Sequence, residues 1–193
     1  IRAGVPLRFR STITNANVSQ MQQMVRYALK NYPEVTRLHF EHVSDNSIDL
    51  ESYYKQYIAS FFAARKTAKE HGARLTNSIL SSLQCIKDVF CAGEMCVTPS
   101  GSIVSCHRAS SLLDSLYDSF RVYDSRNDIE NTKVCSVQIL TELLPECSKC
   151  FARWHCAGAR TYNRQIYSKS QMKLLCKFTR DLIREYFEST LSL

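Results

Sequence analysis

Leu7-Arg8-Phe9-Arg10-Ser11-Thr12-Ile13-Thr14 alternates, with Leu7, Phe9, Ser11 and Ile13 on one side and Arg8, Arg10, Thr12 and Thr14 on the other. That period of two marks a strand. Val18, Met21, Val25, Ala28 and Leu29 then form an apolar stripe at helical spacing; Ser19 and Gln22 stand at capping-box distance and Pro33 closes the helix. Leu38, Phe40 and Val43 read as a second strand. Asp49 is placed to cap a longer helix that gathers Tyr53, Tyr54, Tyr57, Ile58 and Phe61 on one broad face, and Gly72 suits the left-handed residue past its end. Ala73 to Leu80 reads as a third short strand. Strand–helix–strand–helix–strand implies an α/β fold of right-handed parallel units. Three strands alone leave exposed edges, so residues 1–84 are expected to be the terminal βα units of a partial parallel barrel.

In such sheets, functional groups collect at the carboxyl ends of the strands. Those ends are Thr12, Thr14 and Asn15, then Glu41, His42 and Ser44, then Asn77 and Ser78. Glu41, His42 and Asn77 are expected to line a substrate cleft. His39 and His42 fall on opposite faces of a strand, which argues against a shared metal ion.

Residues 85–193 have a different texture. All nine cysteines lie at or after Cys85, against only five glycines and four prolines in 193 residues. A small secreted disulfide scaffold is shorter, richer in turn residues and usually even in cysteine count. An odd number in a core-forming chain favours metal or cluster ligation in a reducing compartment. Val97-Thr98, Pro99-Ser100-Gly101-Ser102 and Ile103-Val104 read as a hairpin turning at glycine. Short helices are expected around Leu112, Leu113, Leu116 and around Ile139, Leu140, Leu143. Ser170 to Thr190 reads as an amphipathic helix with Leu175, Phe178, Leu182 and Tyr186 on its apolar face.

A composition of 45% hydrophobic and 22% charged residues excludes a disordered tail. No apolar run approaches the ~18 residues of a membrane span. The formal charge of +7 is scattered, without a Lys/Arg run of five, and basic and aromatic residues do not interleave. That argues against nucleic acid and for a solvated basic surface able to attract an acidic peptide. No signal-peptide pattern is visible, and no GxGxxG, P-loop or Gly-x-Ser-x-Gly motif offers other chemistry.

The most informative spacing is Cys147-x2-Cys150-x5-Cys156, followed by Cys176. Two thiolates separated by two residues can grip one metal from a tight turn, and four sulfurs suit zinc and iron–sulfur centres equally. Upstream stand Cys85, Cys91, Gly101 and Cys106, with the expected hairpin carrying Cys106 back beside Cys91.

Together these residues resemble the SPASM domain, the C-terminal auxiliary-cluster domain of radical-SAM enzymes that modify peptides and proteins. The family pattern is met by Cys91, Gly101, Cys106, Cys147, Cys150, Cys156 and Cys176; Cys85 matches a further ligand of the sulfatase-maturating branch. The resemblance covers residues 85 to about 180, making 85–193 a Cys-rich α+β domain with a β-hairpin and a C-terminal helix. It implies two [4Fe–4S] clusters: a distal one on Cys147, Cys150, Cys156 and Cys176, and a proximal one on Cys85, Cys91 and Cys106. The proximal cluster's fourth ligand is due at a position that here holds Arg160. Either that iron is open to substrate, or Cys135 or Cys96 replaces the missing ligand, or the proximal cluster is absent. Where sulfatase-maturating enzymes place an Asp, proposed as the base, this chain has His107, a group able to accept a proton near neutral pH. Phe151 and Trp154 are expected to shield the distal cluster.

The radical-SAM signature Cys-x3-Cys-x2-Cys occurs nowhere in these residues. The chain is therefore expected to be a C-terminal fragment, catalytically silent alone, that works with an upstream core using S-adenosylmethionine, an electron-donor protein and a peptide or protein substrate. The expected setting is a reducing, anaerobic cytoplasm. A different class of function, a zinc-binding interaction module, would use the same cysteines.

Overall fold

The computed structural model describes residues 7–87, 95–123 and 145–191. Among them the chain divides into two compact units. One runs to Ile86 and resumes at Tyr167; the other spans Lys87–Ile166.

The first unit opens with β1 (Arg8–Ile13), α1 (Met21–Asn31), β2 (Arg37–His42), α2 (Leu50–Glu70), β3 (Arg74–Thr76) and α3 (Ser78–Ser82). The three strands pair in the order β1-β2-β3, all parallel. The α/β reading holds at this level. Ile13, Leu38, Phe40 and Leu75 are buried on the face where α1 and α2 pack. Asp49 caps α2 by accepting the backbone N–H groups of Glu51 and Ser52 at 3.1 and 3.3 Å. Gly72 takes φ +74 just past the end of α2, the left-handed geometry that favours glycine.

Two local expectations give way to competing hydrogen bonds. The Ser19/Gln22 capping box does not form. Asn17 closes that loop instead, accepting from the Thr14 N–H at 2.8 Å, and Gln22 donates to Thr67 Oγ1 of α2 at 2.9 Å. The third strand stops at Thr76, because the Asn77 side chain accepts the N–H of Leu80 at 2.9 Å and starts α3. Residues 78–80 are therefore helix, not strand.

In the second unit, β4 (Cys96–Val97) and β5 (Ile103–Val104) form the expected hairpin, with Gly101 at φ +80 and a Thr98 N–H to Ser102 carbonyl bond of 2.8 Å. A third strand, β6 (Arg121–Tyr123), which periodicity did not reveal, pairs antiparallel with β5. α4 (Tyr117–Phe120), α5 (Arg153–Cys156) and α6 (Thr161–Ile166) are short. Cys106, Ala109 and Phe120 form a buried cluster lined by Leu116 and Tyr162. Leu112 and Leu113, expected at the heart of a helix, lie in an exposed turn. The expected helix around Ile139, Leu140 and Leu143 lies outside the described residues.

The last helix, α7 (Lys169–Leu191), buries Met172, Leu175, Phe178, Leu182 and Ile183. The sequence division at residue 84 falls beside the boundary after Ile86, but α7, placed with the second domain by that division, belongs to the first unit. The physical reason is aromatic: the Phe178 ring stacks on Tyr54 of α2 at 4.2 Å and meets the Tyr57 ring edge-on at 5.4 Å. No described helix is long and apolar enough to cross a membrane.

Phe178→Ala is expected to cost the first unit about 3–5 kcal/mol in urea unfolding followed by circular dichroism. Leu113→Ala, at a position 97% exposed, should stay within about 0.5 kcal/mol of the parent.

Candidate functional site

At the carboxyl end of β2 the side chains of His39 and Glu41, two residues apart, share a face. His39 Nε2 lies 2.7 Å from Glu41 Oε2, and His42 Nδ1 lies 3.5 Å from the other carboxylate oxygen. Ser78, where α3 begins, donates both its N–H (3.1 Å) and its hydroxyl (2.5 Å) to the same carboxylate. Burial alone would raise the carboxyl pKa of Glu41. The His39 hydrogen bond, the positive charge of His42 and the two Ser78 bonds outweigh it and hold the group down at about 2. The side chain stays ionised across the physiological range and serves as an anchor rather than a proton acceptor.

The three residues expected to line a cleft separate into different roles. Glu41, with a side chain 15% exposed, and His39, at 25%, reach solvent on the face opposite α1 and α2. His42, at 10%, is packed edge-on against Tyr54, Tyr57 and Phe178. Asn77 is fully buried; it caps α3 and donates to the Tyr57 hydroxyl at 3.3 Å. Its neighbour Ser78 is the group at that strand end which contacts Glu41. Sequence reasoning overlooked His39 as the partner of Glu41, although their i, i+2 spacing was the signal.

In the second unit Cys147 sits in a 3-10 turn (Pro145–Lys149), and the N–H of Cys150 donates to the Cys147 carbonyl at 3.1 Å. This tight turn places two partly exposed thiols on one knuckle, a donor pair whose softness suits zinc or iron–sulfur. Cys156 ends α5 and is followed by Ala157, Gly158 and Ala159 at φ 46, 76 and 71. Three successive left-handed residues, two carrying a Cβ, store strain just before Arg160. Cys106 is buried beside Phe120 and Tyr162. Burial and a 2.7 Å bond to the Asp114 carboxylate push the Tyr162 hydroxyl up to about 12. Arg108 donates to Asn163 at 2.9 Å. His107 is exposed, and Cys96 lies on β4.

Cys85 and Cys176 belong to the first unit, and Cys91 and Cys135 lie outside the described residues. Among the described residues no disulfide forms, and no three Cys, His, Asp or Glu side chains are gathered closely enough to hold one metal ion. The Cys147/Cys150 pair thus fits a thiolate-bound centre in chemistry and local geometry. Phe151 and Trp154, expected to shield sulfur, are 53% and 45% exposed, and the Arg153 guanidinium lies over the Trp154 ring at 4.5 Å. Comparison with family models, curated proteins and solved structures finds no match to this chain.

The pKa of Glu41 is about 2 against an ordinary 4.5, so its carboxylate contributes roughly 3 kcal/mol that is fully present above pH 4.5 and is lost as pH falls toward 2. Glu41→Gln should remove about 2 kcal/mol of the stability loss between about pH 5 and pH 3, read from urea midpoints. An unchanged pH dependence would show that the carboxylate is not held in this way. Ala159→Gly should raise the thermal midpoint of the second unit, because it relieves about 1 kcal/mol of left-handed strain.

Proposed function

We propose that the second unit, with Cys85 and Cys176, is the auxiliary iron–sulfur part of a radical-SAM enzyme that modifies a peptide or protein. The first unit then supplies terminal βα strands of that enzyme's partial barrel. The observation that carries this reading is the ordered spacing of Cys91, Gly101, Cys106, Cys147, Cys150, Cys156 and Cys176. The Cys147–Cys150 turn and the hairpin at Gly101 support it locally.

In this reading Cys147, Cys150, Cys156 and Cys176 hold one [4Fe–4S] cluster, and Cys85, Cys91 and Cys106 hold a second. When bound, such clusters take up or pass on single electrons at potentials set by their surroundings. The chain's own residues do the remaining work. Arg160, standing where a ligand is due, offers a guanidinium to a peptide carboxylate. His107, exposed beside Cys106, is the group able to accept a proton. An upstream core would supply S-adenosylmethionine chemistry, an electron-donor protein would complete the redox circuit, and a reducing compartment would keep the thiols available.

Anaerobically purified protein should contain about eight irons with matching sulfide per chain, falling to about four in Cys150→Ala. Cys96→Ala and Cys135→Ala separate the fourth-ligand alternatives: whichever variant loses the second cluster identifies the ligand, and retention in both points to an iron open to substrate. Zinc without sulfide, together with failed iron reconstitution, would overturn the reading in favour of a zinc module.

A further inference from the structure

Parallel sheets are normally covered by apolar residues on both faces. Here only one face is apolar. The register sets Arg8 beside Arg37 and Arg37 beside Arg74, so three arginines form a row across all three strands. The next row along β1 pairs Arg10 with His39, and the next pairs Thr12 with Glu41. Neighbouring strands lie about 4.8 Å apart, and paired residues project to the same side. Arg8, Arg10, Arg37 and Arg74 are all exposed, and none forms an ion pair with a described carboxylate. Glu41 is the one carboxylate in the three strands, and His39, His42 and Ser78 already hold it.

Like charges set directly opposite one another destabilise a sheet, and nothing among the described residues neutralises this row. The positive surface continues round the β3 edge, where Arg65, Lys66, Lys69 and Arg74 share a groove with a single carboxylate, Glu70, above Phe62 and Leu75. Guanidinium groups bind carboxylates through paired N–H donors. Single-stranded nucleic acid also needs aromatic platforms for its bases, and none of the polar-face residues of β1, β2 and β3 is aromatic apart from the engaged His39.

We propose that this arginine-rich sheet face is a docking surface for an acidic peptide segment, one that presents several Asp or Glu carboxylates to the Arg8–Arg37–Arg74 row. The surface stands on the sheet alone and needs no cluster. Where the preceding reading holds, its occupant is the acidic part of that enzyme's peptide substrate.

The test is fluorescence anisotropy of the full chain with a labelled oligoglutamate peptide, run beside oligolysine and oligo-dT. The proposal expects salt-sensitive oligoglutamate binding, no oligolysine binding and weaker binding of oligo-dT. The triple variant Arg8→Ser/Arg37→Ser/Arg74→Ser should weaken oligoglutamate binding about tenfold or more. Arg26→Ser/Lys30→Ser/Lys173→Ser removes equal charge from α1 and α7 and should change it less than about twofold. The arginine triple should also melt at the same or a higher temperature than the parent, since it removes repulsion. Equal losses in both triples, or no loss in either, would overturn the proposal, as would tighter oligo-dT binding that responds to the same arginines. Should the serine triple fail to fold, Arg8→Lys/Arg37→Lys/Arg74→Lys keeps the charge and removes the forks. A loss of affinity there supports the site, and parent-like affinity overturns it. Iron content is not read in any arm, so a failure here is separate from a failure of the cluster reading.

Discussion

The first unit depends on two hydroxyl groups of one helix that meet backbone carbonyl oxygens of two neighbouring strands. Tyr53 donates to the Ile13 carbonyl at the end of β1, and Tyr57 to the Phe40 carbonyl of β2 at 2.7 Å. The Ile13 carbonyl also accepts the Val43 N–H at 2.9 Å, so each hydroxyl adds a bond of about 0.5–1.5 kcal/mol that orients α2 along the sheet. Tyr53 also accepts the Val43 N–H, and Tyr57 accepts from Asn77. Burial pushes both phenols well above their ordinary pKa, which keeps them protonated donors. From this alignment follow the β3–α3 turn, the placement of Ser78 beside Glu41, and the aromatic surface on which Phe178 seats α7.

What could be read from the residues was what local physics decides. Alternation in residues 7–14, the Asp49 cap, Gly72 and the hairpin around Gly101 each act within a few positions, and each is found. The misses share another cause. Gln22 finds Thr67, forty-five positions away, in place of a capping partner three away. Asn77 looks like a strand-end polar group until the helix it caps is known. β6 is three residues long, too short for a period to show. The partner of α7 was invisible because an amphipathic helix states that it must pack, not against what.

The cysteines show the same division. The Cys147–Cys150 turn is a short-range object, and its spacing predicted it. Whether four sulfurs meet around one centre is a long-range matter, which no spacing can settle unaided. In the second unit the strained Ala157–Ala159 backbone marks the point where the chain leaves ordinary geometry, directly between Cys156 and Arg160. Strain of this kind persists only where neighbouring structure holds it.

The open flanks of a three-stranded sheet are a standing invitation to another copy of the same chain. Among the described residues β1 pairs with a strand on one side only, and it carries Arg8 and Arg10. Two copies brought edge to edge would set arginine against arginine at strand spacing, and their mutual repulsion would part them. The arginines proposed to draw in a chain of opposite sign would therefore also oppose the pairing of two copies wherever that flank is left uncovered.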